Sequence, residues 1–349
     1  MLDKEEQRRY SRQTILPEIG NAGQLKLKSA KIMVIGAGGL GCILLQYLAA
    51  AGIGEIGIID DDKVDETNLH RQILYSIQDI GKAKVSVAKA KLNLLNPHVK
   101  INAFEHRLNS DNAVDLLKSY DLIVDGSDNF QTRYLVNDTC VALDKPLVFG
   151  SIFKFEGQVS VFNYLDGPNY RDVFPEPPGL DELPNCSDVG VLGILPGIIG
   201  LYMANEVIKV TCEIGELLSG ILMTINVLEN TTNYYKISKS TRSFKTPLQE
   251  YYKTTEEIDK QTLDQWIIDD EGELQVIDVR ENHEYEEYNI GGINIPLYQL
   301  KERLASFTKS KKIVFVCETG QRSKIAVQLS KSISNVLVYS LTHGLSSSI

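Results

Sequence analysis

Three groups of residues in this sequence have the types and spacing that chemistry needs. The first is a glycine-rich turn, Gly36-Ala37-Gly38-Gly39-Leu40-Gly41, set between the apolar run Ile32 to Ile35 and a helical pattern through Leu44, Leu45 and Leu48. A strand that feeds a bare turn and then a helix leaves the first helical N–H groups, at the positive end of the dipole, free to hold phosphate. A further apolar run, Ile56 to Ile59, stops at Asp60, where a carboxylate at a strand's C-terminal end accepts hydrogen bonds from ribose hydroxyls. The second group is Asn68, Arg71 and Lys84, with Asp128 in Asp125-Gly126-Ser127-Asp128-Asn129. Cations here offset the charge of a leaving pyrophosphate, and Asp128 suits Mg²⁺ held against phosphate oxygens. The third is Cys317-Glu318-Thr319-Gly320-Gln321-Arg322-Ser323, after the run Lys312 to Val316. A cysteine at a strand end beside a helix N-terminus has its thiolate stabilised, and the same cradle favours an anionic persulfide.

Each group also has a plainer reading. A glycine turn with a distal acid binds NAD or FAD more often than ATP. A dinucleotide, however, carries only a pyrophosphate that the helix already holds, so Arg71 and Lys84 would have little to do there. Taken singly, Asp128 suits a helix N-cap and Arg12 a solvated surface. Cys42 and Cys140 fall in helical patterns and read as core packing. Cys186, in a loop before the apolar stretch Gly190 to Ala204, is either a half-buried small residue or a reactive thiol.

Strands and helices must carry these groups. Buried-strand runs alternating with helical patterns predict an α/β fold: a Rossmann-like nucleotide-binding domain over residues 1–240, a polar linker over 241–261 and a smaller α/β domain over 262–349. At 349 residues, with 43% hydrophobic and 23% charged residues, the chain is long enough for two globular domains. Its formal net charge of -10 speaks against a nucleic-acid partner. The charged start MLDKEEQRRYSRQ lacks a signal-peptide core, and Gly190 to Ala204 is shorter than a membrane span and contains Pro196. No membrane association is expected. Five cysteines without close spacing predict reduced thiols and a cytoplasmic protein.

The set Tyr10-Ser11-Arg12-Gln13, the glycine turn, Asp60, Asn68-Leu69-His70-Arg71-Gln72, Gly81-Lys82-Ala83-Lys84, Asn96-Pro97-His98 and Asp125 to Asn129 closely resembles the E1-like adenylyltransferases. Those enzymes activate the C-terminal glycine of ubiquitin-like sulfur carriers in molybdopterin and thiamin synthesis. The resemblance continues through Phe174-Pro175-Glu176-Pro177-Pro178 and Cys186, and covers roughly residues 5 to 235. It implies ATP and Mg²⁺ as cofactors, with Gly36, Gly38, Gly39 and Gly41 beside the phosphates and Asp60 on the ribose. Asn68, Arg71 and Lys84 would contact the phosphates and Asp128 the Mg²⁺. A homodimer is implied too, in which Arg12 reaches the partner's ATP site, and Cys186 becomes a thiol that joins the activated carrier. One departure is plain. Relatives commonly bind zinc on two C-x-x-C pairs; here the first pair's positions hold Asn169 and Asp172, and no cysteine lies between Cys212 and Cys317. A closed tetrahedral site needs four such ligands, so no structural zinc is expected.

The loop at Cys317 resembles that of a rhodanese domain, a match over about residues 262 to 345. By that resemblance Cys317 carries the persulfide, and Arg322 binds the anionic donor or stabilises the loop. Asn289 stands where many relatives have His. A cysteine phosphatase loop is the rival, but it is longer between Cys and Arg. The expected function is adenylylation of a ubiquitin-like carrier ending in Gly-Gly, then sulfur transfer from Cys317 to give the thiocarboxylate. The sulfur donor would be a cysteine desulfurase or thiosulfate. Two alternatives remain open: an NAD-dependent oxidoreductase with an accessory rhodanese domain, and a non-catalytic carrier-binding scaffold.

Overall fold

The computed structural model describes residues 1–177, 190–240, 257–269, 274–303, 312–330, 336–342 and 344–345. They form two compact α/β units. The first opens with three helices, α1 (Lys4–Arg9), α2 (Ser11–Thr14) and α3 (Gly20–Ser29). Then β1 (Lys31–Ile35), α4 (Gly39–Ala51), β2 (Glu55–Ile59), α5 (Lys84–Leu95), β3 (Lys100–Phe104), α6 (Ala113–Leu117), β4 (Leu122–Asp125), α7 (Phe130–Ala142) and β5 (Leu147–Phe153) make the parallel half of a sheet. The antiparallel strands β6 (Glu156–Phe162), β7 (Ile221–Asn226) and β8 (Thr231–Lys236) extend it, with α8 (Tyr170–Val173) and α9 (Leu195–Cys212) between β6 and β7.

The strand order is β3-β2-β1-β4-β5-β6-β7-β8. Because β1 connects outward to β2 while β4 lies on its other side, the order reverses between β1 and β4, and a crevice opens beyond their C-terminal ends. The glycine turn follows β1 and the Asp125 to Asn129 loop follows β4, so the two chemical groups flank that crevice. Strand β4 is buried throughout, and β1 and β2 are buried except at their first residues, as strands covered on both faces must be.

Helix α9 begins at Leu195 with Pro196 in its first turn and runs to Cys212, so it takes in the apolar stretch Gly190 to Ala204 only from Leu195 on. Proline suits the first helical turn, where its missing N–H is not needed. The helix lies close against α4: a Cβ on Gly39 would come within 2.9 Å of Pro196, and one on Gly200 within 2.5 Å of Ile43. Cys42 and Cys140 are fully buried. Among the described residues no helix is long and apolar enough to cross a membrane.

In the second unit the sheet order is β11-β10-β12-β13-β9, all parallel. Its elements are β9 (Glu257–Ile258), α10 (Lys260–Asp269), β10 (Leu274–Asp278), α11 (Asn282–Glu287), β11 (Ile293–Asn294), α12 (Leu297–Arg303), β12 (Lys312–Val316), α13 (Gln321–Ser330) and β13 (Leu337–Leu341). Glu257 and Ile258, expected in the linker, pair with Ser340 and Leu341 as an edge strand of this sheet. Most of the expected linker, like Cys186, lies outside the described residues.

Candidate functional site

At the end of β1, Gly36 takes a φ of +94°, and a Cβ there would stand 2.9 Å from the carbonyl of Gly126. A Cβ on Gly41 would lie 2.2 Å from the Gly36 carbonyl. Both positions therefore require glycine, one for its conformation and one for the packing of turn on helix. Gly38 is the N-cap of α4 without a side-chain hydrogen bond, which leaves the first-turn N–H groups to a ligand. Asp60 folds back on the turn: its Oδ2 accepts from the Ala37 N–H at 2.7 Å and its Oδ1 from the Asp62 N–H at 2.8 Å. Burial pushes this carboxyl up to about 6, against the opposing pull of Lys84 and the Ala37 N–H. From below, the Tyr75 hydroxyl donates to the Ala37 carbonyl at 2.8 Å.

The cations behave differently from one another. Asn68 Oδ1 accepts from Arg71 Nη2 at 2.9 Å and from Gln72 Nε2 at 3.1 Å, making a rigid fork. That fork leans on the turn, since Cβ atoms on Gly39 and Gly38 would each stand 3.7 Å from Arg71 and Gln72 respectively. Arg71 also donates to the Thr67 carbonyl and meets His70 Nε2 at 2.6 Å; these partners orient the guanidinium without cancelling its charge. Lys84 is buried and its Nζ meets the exposed Asp62 at 2.7 Å.

Asp128 is exposed on the loop beyond β4, with Asn129 Nδ2 at 3.5 Å. The structure thus gathers the glycine turn, Asp60, Asn68, Arg71 and Lys84 on one side of the crevice and Asp128 on the other. It does not bring Arg12 there. Gln13, the neighbour of Arg12 on α2, donates to the carbonyl of Ala51, at the far end of α4 from the glycine turn and about 18 Å away along a helix of this length.

Two residues emerge here that lie outside the motifs, Tyr75 and Arg133, and Gln72, which ends one of them, is found bonded to Asn68. Among the described residues, the buried side-chain atoms without a hydrogen-bond partner are Gln72 Oε1, Asp125 Oδ2, Ser127 Oγ and Arg133 Nε. All four come from the segments that bound the crevice. Buried polar atoms in native proteins are normally paired; three of these four belong to the end of β4, the loop beyond it and α7, which follows.

The second site is built around Cys317, fully buried at the end of β12. Its Sγ accepts from the Ser323 N–H at 3.3 Å and lies 3.5 Å from the Ser323 hydroxyl, which also meets Ser340 at 2.8 Å. Arg322 does not point a free guanidinium at a donor. It makes two 2.6 Å bonds to Glu284 on α11, and that arginine holds the Glu284 carboxyl down at about 2. Arg280 is similarly tied to Asp278 and to Glu318 of the cysteine loop. Gly344, at φ +65°, closes the cradle, since a Cβ there would lie 2.4 Å from the carbonyls of Cys317 and Glu318. Asn289 accepts from the Gly291 N–H and donates to the Tyr285 carbonyl, so it serves the glycine turn.

The positions expected to lack zinc hold a capping box. Asn169 accepts from the Arg171 N–H at 2.8 Å, and Asp172 accepts from Asn169 N–H and from Ser240 N–H, both at 2.7 Å. An amide and a carboxylate engaged in this way do not fit the thiolate tetrahedron of a structural zinc.

The profile of the ThiF family matches residues 10–246 of the chain. The chain belongs to the ThiF family. A rhodanese-like domain matches residues 259–347. Across 348 aligned residues the sequence is 42% identical to the "Probable adenylyltransferase/sulfurtransferase MoeZ" of Mycobacterium tuberculosis, covering 93% of this chain and 88% of that protein. It is 48% identical over 244 residues to the "Sulfur carrier protein adenylyltransferase" of Thermus thermophilus, covering 68% of this chain and 90% of the relative. Among solved structures, Escherichia coli MccB superimposes with a TM-score of 0.60 at 26% identity, over 67% of this chain and 71% of MccB. Membership of the ThiF family favours the ATP reading of the glycine turn over the dinucleotide reading.

Proposed function

We propose that this ThiF-family enzyme adenylylates the C-terminal glycine of a ubiquitin-like sulfur carrier and then passes it sulfur from Cys317. The observation that carries the reading is the convergence, at one strand-order reversal, of the glycine turn, Asp60 and the Asn68–Arg71 fork. The free N–H groups of α4 and the guanidinium of Arg71 hold the phosphates, and the Asp60 carboxylate takes the ribose hydroxyls. Lys84 shares its charge between Asp62 and the phosphates that depart as pyrophosphate. Asp128 would hold Mg²⁺, which would add charge neutralisation at the phosphates. The carrier's carboxylate attacks the α-phosphorus, pyrophosphate leaves, and an acyl-adenylate results.

The outer sulfur of a Cys317 persulfide then attacks the acyl carbon. AMP leaves, and an acyl disulfide joins carrier to enzyme. A second thiol attacks the Cys317 sulfur of that bond, which frees the thiocarboxylate and leaves a disulfide on Cys317; Cys186 is the candidate. The persulfide comes from a cysteine desulfurase or from thiosulfate. We place the reaction in the cytoplasm, where the unpaired thiols Cys42, Cys140, Cys212 and Cys317 suit a reducing milieu. A homodimer is part of the proposal, with Arg12 entering the partner's crevice. Exposed Ile73 and Ile194, beside a hollow that Ile43 also lines, support an interface there. The capping box at Asn169 and Asp172 supports a fold held without zinc.

The test is a dissociation of two activities. Cys317→Ala should leave carrier-dependent ATP–pyrophosphate exchange intact while thiocarboxylate, measured by mass spectrometry, disappears. Loss of both activities in a folded variant would refute the division of labour.

A further inference from the structure

The loop that carries Asp128 is held partly by its own motif and partly by Arg133, which no motif includes. On its N-terminal side, Ser127 is gripped twice. Its N–H donates to Asp125 Oδ1 at 2.9 Å, and its carbonyl accepts from Arg133 Nη2 at 3.3 Å. On its C-terminal side, Asn129 Oδ1 accepts from the Thr132 N–H at 2.9 Å and caps α7. Asp128 has only the 3.5 Å approach of Asn129, so the direction of its carboxylate is set through the backbone on either side.

Arg133 is the cationic member of this arrangement. Its guanidinium lies 5.3 Å from the Phe130 ring centroid and 5.6 Å from that of Phe149, a slot suited to a flat, delocalised cation. Its charge acts on the buried Asp125 carboxyl, opposing the upward push of burial, and Asp125 Oδ2 and Arg133 Nε are both buried without a hydrogen-bond partner. Without this cation, only Ser127 would offset the burial of the Asp125 charge, and the Ser127 peptide would lose its second anchor.

We propose that Arg133 is a positioning residue for adenylylation, which fixes the Ser127 peptide so that Asp128 faces the metal side of the ATP crevice. The proposal rests on the Mg²⁺ role assigned to Asp128. Binding of a non-cleavable ATP analogue to the full chain is measured by calorimetry with and without Mg²⁺, together with carrier-dependent exchange and thermal unfolding. In Arg133→Ala the Mg²⁺-free affinity should stay within about twofold, while the tightening produced by Mg²⁺ falls about tenfold or more, equivalent to roughly 1.4 kcal/mol. Arg133→Lys, which keeps the charge without the planar fork, should recover part of that tightening and decides the matter if the alanine variant does not fold. Asp128→Ala should show the same loss, and the double variant no further loss.

Full tightening by Mg²⁺ in Arg133→Ala, beside its loss in Asp128→Ala, would overturn the inference alone. So would an equal fall in both affinities together with a lowered melting temperature, since that marks a merely structural role. Full tightening in Asp128→Ala would overturn the reading of Asp128 and the inference with it.

Discussion

The two sites of this chain differ in what they leave undone. Around the glycine turn, buried polar atoms of Gln72, Asp125, Ser127 and Arg133 lack partners, Arg71 carries an uncancelled charge, and Asp60 sits at about 6. At Cys317 the charges are already paired: Arg322 with Glu284, Arg280 with Asp278 and Glu318, while Glu284 lies at about 2. A large polyanion that binds, is cut and leaves in pieces needs donors held in reserve, and here those are the first-turn N–H groups of α4 and the guanidinium of Arg71. A single sulfur retained on a side chain needs a cradle complete before it arrives. Preorganisation therefore takes opposite forms, unmet hydrogen-bonding groups at one site and internal ion pairs at the other.

The sharpest way to break this contrast is to unpair the cradle. Glu284→Gln keeps the shape of the side chain but removes the charge from the two bonds to Arg322. Hydrogen bonds to charged groups contribute about 1.5–3 kcal/mol, so sulfur transfer from thiosulfate to cyanide should fall roughly tenfold or more. Exchange in the first unit should not change. An unchanged transferase rate would show that the cradle does not depend on its ion pair.

A smaller effect is expected at the capping box. Asp172→Ala removes the acceptor for the Asn169 and Ser240 N–H groups, a loss of about 1–2 kcal/mol by the measure of other helix caps. Denaturant unfolding of the first unit should register it, while a chelator should leave the parent protein's unfolding unchanged. One equivalent of bound zinc by elemental analysis would contradict the zinc-free reading.

Much of this was legible in the sequence where one segment contained the whole signal. Gly36 to Gly41 and Asp60 lie within a single βαβ stretch, and the buried runs of β1, β2 and β4 announced a covered parallel sheet. Arg133 was not legible. It sits in an ordinary helical stretch, and its meaning comes from Ser127 and Phe149, which only folding brings to it. The same holds for Arg322, whose role was open between binding a donor and stabilising the loop: its partner Glu284 is 38 positions away, and no local pattern joins the two. The two-residue strand Glu257–Ile258 is too short to show any periodicity.

The last consequence of the contrast is a difference in pH response, and its sign follows from the two carboxylates. Asp60 is raised from an ordinary value of 3.8 to about 6 because burial disfavours its charge. The folded chain therefore takes up a proton there as pH falls through about 6, and the protonated form, with one oxygen now a donor and no charge, is the weaker acceptor for ribose hydroxyls. If only the charged form binds, the competent fraction drops from about nine-tenths at pH 7 to about a quarter at pH 5.5, which should weaken binding of the ATP analogue roughly fourfold. Glu284 is lowered from 4.5 to about 2, so its contribution is full above the ordinary carboxylate range and is lost only as pH falls toward 2. Over the same interval the Arg322 pair should stay intact, and amide exchange of the Cys317 loop, corrected for intrinsic rates, should show no loss of protection. Nucleotide affinity that stayed flat down to pH 5.5 would mean that Asp60 does not hold the ribose in its charged form, and the reserve attributed to the first site would lose its principal member.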